Sequence, residues 1–403
     1  MLIATLGFMA FLGLLLFALW AHSISSPKFG DLNPWKQSLW RRSSWNTSPG
    51  KTKPNPPASD HFTAGRFHNL SAHQHNTQPR LQRMAKGVLD RHNRARPPQL
   101  SALAADFGDA TPAQINRKPK PKLTWLGHSS VLLNLDQQRV LFDPVFSQYA
   151  APFRPFARRF AGSLIPNLAQ LPRIDVVLIS HDHYDHLDFA TICRFDHRFK
   201  HYVVPLGVGA HLIRFGVKPA KITELDWWQQ TRIGALKVTL TPAHHSSGRS
   251  IIGQKRSLWG GFAVQSSESN VFFSGDSGYG GHFAQIGERL GPFDLAMIEC
   301  GQYHSLWPTH HMLPSQSVQA ALDVKADAAL PIHWGAFALA AHAWDEPVEW
   351  FCLAASEANL STLTPQIGQT VELGSSTYPW WRGVSSPAID TCDAHSTASL
   401  KSN

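Results

Sequence analysis

Four short apolar runs along the chain each stop at residues able to bind a metal ion. Asp175-Val-Val-Leu-Ile-Ser180 reads as a buried strand, and His181-Asp-His-Tyr-Asp-His186 follows at once. Leu236-Lys-Val-Thr-Leu-Thr-Pro-Ala243 alternates as a half-buried strand and runs into His244-His245. Asn270-Val-Phe-Phe-Ser-Gly275 delivers Asp276 into a glycine-rich turn, and Ala328-Ala-Leu-Pro-Ile332 delivers His333 ahead of Trp334-Gly335. Each candidate therefore lies at the end of its own strand. A loop at a strand's carboxyl end can aim His181 and His183 at one ion while Asp185 and His186 turn toward a second. The strands fall into two groups separated near Gly260, the pattern of two βα halves folded face to face with the candidates along one edge.

Outside these runs the pattern changes. Met1 to Trp20 is nearly unbroken apolar sequence, long enough to cross a bilayer core of about 30 Å. It has no Lys or Arg ahead of it and no small-x-small exit, so a single uncleaved membrane anchor is expected over a cleaved signal peptide. Lys28, Lys36, Arg41 and Arg42 follow, which by the positive-inside rule would keep the rest of the chain on the cytoplasmic side. His22 to about Ser59, rich in Pro, Ser and Trp, reads as a linker. The spacing of Leu81, Met84, Val88 and Leu89 predicts a short amphipathic helix within Gln78–Leu103. The expected divisions are an anchor over 1–21, a basic linker and N-terminal extension over 22–121, the main folded domain over 122–373 and a tail over 374–403.

Charge sharpens the division. The 403 residues carry a formal net charge of +9. Residues 1–121 hold 16 Lys and Arg against 5 Asp, while residues 122–403 hold 21 against 23 acidic residues, so the excess lies wholly in the extension. These charges are dispersed among Pro, Ser and Trp without a base-reading motif; an anionic membrane surface is the expected partner, and nucleic acid is not. The four cysteines, Cys193, Cys300, Cys352 and Cys392, are scattered, which predicts neither a disulfide framework nor a thiolate zinc site. Imidazole and carboxylate without thiolate is the ligand set of a hydrolytic Zn2+ site, one that Mn2+ or Fe can also occupy.

The order His-x-His-x-Asp-His, then a later His, Asp and His, resembles the metallo-β-lactamase superfamily. Gly127-His128-Ser129, Leu141-Phe-Asp143-Pro144, Ser180-His-Asp-His-Tyr-Asp-His-Leu-Asp188, Thr241-Pro-Ala-His-His245, Phe273-Ser-Gly-Asp276-Ser-Gly-Tyr279 and Ile332-His-Trp-Gly335 look like its branch containing N-acylphosphatidylethanolamine-hydrolysing phospholipase D. The likeness covers about Lys122 to Leu373, with a weaker echo in Ser59-Asp-His-Phe62 and Gly65-Arg-Phe67. It implies an α/β fold, a four-layer αββα sandwich, with 122–373 as the catalytic domain. It also implies two Zn2+ ions: His181, His183 and His245 on one, Asp185, His186 and His333 on the other, and Asp276 bridging. His245 is preferred to His244 because the branch's pattern is Pro-Ala-x-His, which leaves His244 behind a ligand or exposed. Asp182 falls on a variable position and is expected to cap the loop or support a ligand.

The resemblance also places His311 where the branch carries a histidine near the substrate phosphate, and Tyr303 is a second candidate for the substrate pocket. The branch usually has an aromatic residue after the third ligand histidine; Ser246-Ser247 stands there instead, which alters the expected shape of the pocket. The implied activity is hydrolysis of a phospholipid by a metal-bridging hydroxide, releasing phosphatidic acid and a lipid amide, with Asp185, Asp276 and His311 as catalytic residues. The same ion pair can attack a carboxylic ester or lactone, so the metals specify hydrolysis and leave the bond open. A non-catalytic membrane protein with a vestigial site is the third reading.

Overall fold

The first of two seven-stranded sheets runs, edge to edge, through Thr370–Glu372, Lys122–Trp125, Val131–Leu135, Gln138–Phe142, Ile174–Leu178, Phe199–Pro205 and Ile222–Leu225. The second runs through Ser361–Thr362, Ala328–Ile332, Leu295–Glu299, Asn270–Phe273, Gly261–Gln265, Leu236–Thr241 and Gln230–Ile233. These come from a computed structural model that describes residues 59–70, 95–107, 121–152, 156–249 and 254–384. In each sheet antiparallel neighbours give way to parallel ones, at Gln138–Phe142 beside Ile174–Leu178 and at Asn270–Phe273 beside Leu295–Glu299. Parallel neighbours need crossovers. In the first half the described part of the crossover into Ile174–Leu178 holds the 3-10 turn Leu168–Gln170, and helices Phe189–Phe195 and Gly209–Arg214 supply the next two; His282–Arg289, Pro314–Asp323 and Glu346–Glu357 supply those of the second half.

Burial follows from that layering. Val176, Val177 and Leu178 are fully buried because crossovers cover one face of their strand and the other sheet covers its opposite face. Phe142 and Phe273, one from each sheet, meet with ring centroids 4.8 Å apart. The expected α/β sandwich is therefore observed, and both of its sheets are mixed. The change of sheet falls between Leu225 and Gln230, not near Gly260, since Leu236–Thr241 already pairs with Gly261–Gln265.

The strand directions decide where the site lies. Lys122–Trp125, Ile174–Leu178, Leu236–Thr241, Asn270–Phe273 and Ala328–Ile332 all end at the edge where the two sheets meet, and Gly260 N donates to Ser180 O across it at 3.1 Å. Gly275 sits at this seam with φ +57°, and a β-carbon there would lie 2.7 Å from Ser180 Cβ and 2.8 Å from Gly260 O. Only glycine leaves room for the close approach.

Several expectations change. The membrane anchor and the localisation read from it are withdrawn: no helix among the described residues is long and apolar enough to cross a membrane. The longest described helix, Glu346–Glu357, has 12 residues, about 18 Å against a bilayer core of about 30 Å. Met1–Trp20 and the linker tryptophans lie outside the described residues. So do residues 78–94 of the expected amphipathic helix, and its remainder, 95–103, is not helical. That stretch instead hooks onto the fold, with Leu100 N on Ala161 O and Leu103 N on Ile367 O.

The fold also continues past Leu373. Trp380 and Trp381 form part of a short 3-10 turn, Trp380–Gly383, and pack on Trp334 at 5.7 and 5.6 Å. Trp381 Nε1 donates to Glu349 Oε1 at 2.7 Å, and Arg382 donates to both oxygens of that carboxylate. Two indoles that bury themselves need partners for their bulk, and a turn beside Glu346–Glu357 supplies them.

Candidate metal centre

The loop after Ile174–Leu178 is anchored at both ends. Asp143, the residue after strand Gln138–Phe142, accepts from the N–H and hydroxyl of Ser180 at 2.7 and 2.6 Å and from His186 Nδ1 at 2.7 Å. Ser180 Oγ in turn accepts from His181 Nδ1 at 2.9 Å. At the far end Asp188 caps helix Phe189–Phe195 through Ala190 N and accepts from Ser147 N and Ser147 Oγ. Asp182 turns to the neighbouring loop, accepting from Gly248 N at 2.6 Å and Ser257 Oγ at 2.9 Å and pairing with His211 at 3.2 Å. It ties two loops together and stands outside the cluster of ligand atoms.

Within this frame, donor atoms converge in two sets. A tetrahedral ion bound at about 2.05 Å sets its ligand atoms about 3.3 Å apart. His181 Nε2 and His245 Nε2 lie 2.9 and 3.2 Å from His183 Nδ1, and each lies 3.7 Å from Asp276 Oδ2. In the second set Asp185 Oδ2 lies 3.4 Å from His186 Nε2 and 3.2 Å from His333 Nε2. Asp276 Oδ2 lies 3.1 Å from that His186 nitrogen and 3.3 Å from that His333 nitrogen. The sets meet at Asp276.

The outer nitrogens fix the inner ones. His245 Nδ1 donates to His310 O at 3.0 Å, and His333 Nδ1 faces Gly301 O at 3.3 Å and Glu299 Oε2 at 3.4 Å. With those positions filled, each Nε2 points inward, where a bound cation would take its lone pair. Among the described residues, the buried atoms His186 Nε2 and Asp276 Oδ1 have no hydrogen-bond partner. Five imidazoles and two carboxylates with such unspent atoms fit a pair of divalent cations.

The electrostatics point the same way. Burial opposes protonation of His333, yet Asp276 and Asp185 outweigh it and push its pKa up to about 10; with Asp143 they raise His186 well above the usual value, again against burial. Positive charge is thus favoured in the second set. Burial would raise Asp276 and Asp185, but the surrounding imidazoles hold both well below the usual carboxylate range. In the first set burial dominates and lowers His181 and His245, keeping them in the neutral form that ligates.

Residues 138–334 match the beta-lactamase superfamily domain. An uncharacterized protein of Mycobacterium tuberculosis (strain ATCC 25618 / H37Rv) is 38% identical over 335 residues, covering 80% of this chain and 88% of its own. The chain belongs to the metallo-β-lactamase superfamily. Its branch is marked by a relative of another name: N-acyl-phosphatidylethanolamine-hydrolyzing phospholipase D 1 of Caenorhabditis elegans is 35% identical over 229 residues, covering 53% of this chain and 64% of that protein. A possible metal-dependent hydrolase from Veillonella parvula shares the fold at a TM-score of 0.51 and 14% identity, covering 63% of this chain and 100% of that one. This is a metal-dependent hydrolase of the metallo-β-lactamase superfamily.

All seven residues expected as metal ligands in this superfamily member are brought together. His311 joins their rim: its ring stacks on that of His333 at 5.1 Å, and its Nδ1 donates to Glu299 Oε2 at 2.8 Å. Tyr303 does not join. Its hydroxyl donates to Glu346 Oε1 at 2.5 Å and its ring stacks on His342, so the expected pocket role finds no support in its surroundings. His244 is buried rather than exposed, with its ring 4.2 Å from that of His282.

Sequence reasoning missed two groups here. Glu299 ends the apolar run Leu295-Ala-Met-Ile, the same signal that marked Asp276 and His333, and it is wholly buried behind His311 and His333. His128 is buried with φ +55°, its Nε2 2.9 Å from Asp185 Oδ2, and burial lowers its pKa to about 3. His128, Asp143 and His333 all adopt positive φ without being glycine. Such backbone costs about 1 kcal/mol or more each and persists where a site needs the side chain so aimed.

Proposed function

We propose that this chain is a dizinc phosphodiesterase that hydrolyses a phospholipid. His181, His183 and His245 would hold one ion and Asp185, His186 and His333 the other, with Asp276 available to both. The observation that carries the reading is the position of Asp276 Oδ2, 3.1 to 3.7 Å from four imidazole nitrogens drawn from both sets. Bound there, two zinc ions would activate water at neutral pH and neutralise the oxygens of a phosphoryl group.

The rest falls to the chain itself. Asp143, Ser180 and the His310 carbonyl hold the ligating imidazoles in their tautomers. His311, fixed through Nδ1 by Glu299, turns Nε2 to the rim, where the protonated ring would donate to a substrate oxygen, which is the role proposed for it. The proposed catalytic domain runs from 122 to 373, with Gly374–Val384 packed on it. A phospholipid is favoured as substrate by the Caenorhabditis elegans relative, whose name states hydrolysis of N-acylphosphatidylethanolamine.

The test incubates zinc-loaded protein with bis(p-nitrophenyl) phosphate, with a panel of lactones and carboxylic esters, and with a mixed lipid extract read by mass spectrometry. The expected result is phosphodiester turnover, with phospholipid loss matched by phosphatidic acid and a lipid amide. Turnover of lactones or esters with phosphodiesters untouched would replace the proposal with the carbonyl-hydrolase reading.

A further inference from the structure

The described part of the N-terminal extension reaches the metal centre. Phe62–Thr63 and Arg66–Phe67 form a small hairpin, turned by Ala64 and Gly65 with φ +50° and +77°. It is seated firmly: Phe67 is fully buried and its N–H donates to Lys255 O at 2.8 Å, while the His61 ring lies 4.3 Å from that of Trp227. Two residues after the hairpin stands Asn69. Its Nδ2 donates to His245 O at 3.1 Å, and its Oδ1 accepts from His245 N at 3.2 Å and from Trp259 Nε1 at 3.1 Å.

This pairing has a local cause. Leu236–Thr241 pairs with Gly261–Gln265 only as far as Thr241 opposite Gly261, so His245 lies beyond the ladder. The backbone of His244 finds Ser277 Oγ and Gly278 N instead. The backbone N–H and C=O of His245 are taken by one carboxamide, which presents an acceptor and a donor side by side as a neighbouring strand would.

We infer that Asn69 is a positioning residue for the metal centre, clamping the His245 backbone so that its imidazole stays aimed at the first ion. The inference rests on the proposed reading of His245 as a ligand. The extension then completes the active site rather than only preceding it, and the chain brings two points 176 residues apart into one clamp.

The test compares Asn69→Ala, Asn69→Asp and His245→Ala in the full chain, titrated with zinc against a competing chelator, with melting temperature and phosphodiester kinetics alongside. Losing a support of this kind typically weakens metal binding by about 10–100-fold. Asn69→Ala should weaken by that factor the zinc equivalent that His245→Ala abolishes and leave the other equivalent unchanged. Asn69→Asp keeps the acceptor but sets an oxygen against His245 O, so it should weaken the same equivalent while still folding. Wild-type affinity for both equivalents in both Asn69 variants overturns the inference, as does equal weakening of both ions, which would mark a merely structural role. Retention of both zinc equivalents in His245→Ala would instead overturn the ligand reading beneath it.

Discussion

Glu299→Gln isolates one hydrogen-bonding argument without changing the shape of the core. Glu299 Oε1 accepts from the backbone N–H groups of Ser277 and Met312 at 3.0 and 3.2 Å, and a glutamine must keep its carbonyl oxygen there. Its amide NH2 then takes the place of Oε2, 2.8 Å from His311 Nδ1 and 3.4 Å from His333 Nδ1. Donor faces donor. His333 has the Gly301 carbonyl at 3.3 Å as a second acceptor and should keep its aim. His311 has to rotate or give up its Nδ1 proton, and either way loses the carboxylate that supports a charged ring donating from Nε2 to substrate. Losing a hydrogen bond to a charged group costs about 1.5–3 kcal/mol, and if all of it appears in the transition state the rate falls roughly 10–150-fold. The assay pairs kcat and KM on bis(p-nitrophenyl) phosphate with zinc content by elemental analysis. The expected outcome is a lower kcat with two zinc equivalents retained. Wild-type kcat would refute the argument, and zinc lost in step with kcat would show that the effect runs through His333 instead.

Three further perturbations follow from the same contacts. Asp276→Asn removes the negative charge shared by the two sets and should lose at least one zinc equivalent together with activity; two tightly bound equivalents with near wild-type turnover would sink the bridging assignment. Gly275→Ala forces a methyl within 2.7 Å of Ser180 Cβ at positive φ, so it should destabilise the fold by about 1–3 kcal/mol and loosen zinc; an unshifted melting curve would contradict the seam geometry. Trp381→Ala empties a buried indole site and should cost about 3–5 kcal/mol in denaturant unfolding, whereas a loss below about 1 kcal/mol would return 374–384 to the status of a tail.

The parts of this protein that local sequence decides are those where a strand and its target are neighbours in the chain. An apolar run stops where a strand leaves the core, and a polar residue at that point faces the sheet edge, which is why His181, His183, Asp185, His186, the pair His244-His245, Asp276 and His333 could be named before the fold was seen; the choice of His245 within its pair came from the family resemblance. The same rule reached Glu299 had it been applied to Leu295-Ala-Met-Ile-Glu299. Apolar runs of this length also required cover on both faces, which pointed to two βα halves, while the four-layer sandwich itself came from the family resemblance.

Tertiary structure decided the rest, because it depends on partners far apart in the chain. Asn69 carries no signal of its own; it matters only because folding brings it to a backbone whose strand ladder has run out. Trp380 and Trp381 look like part of a polar tail until Trp334 and Glu349 are set beside them. Tyr303 lies close in sequence to the rim residue His311, yet its hydroxyl turns to Glu346, a direction set by the packing of helix Glu346–Glu357. Periodicity reports which face of an element is buried, and it is silent on which other element does the burying.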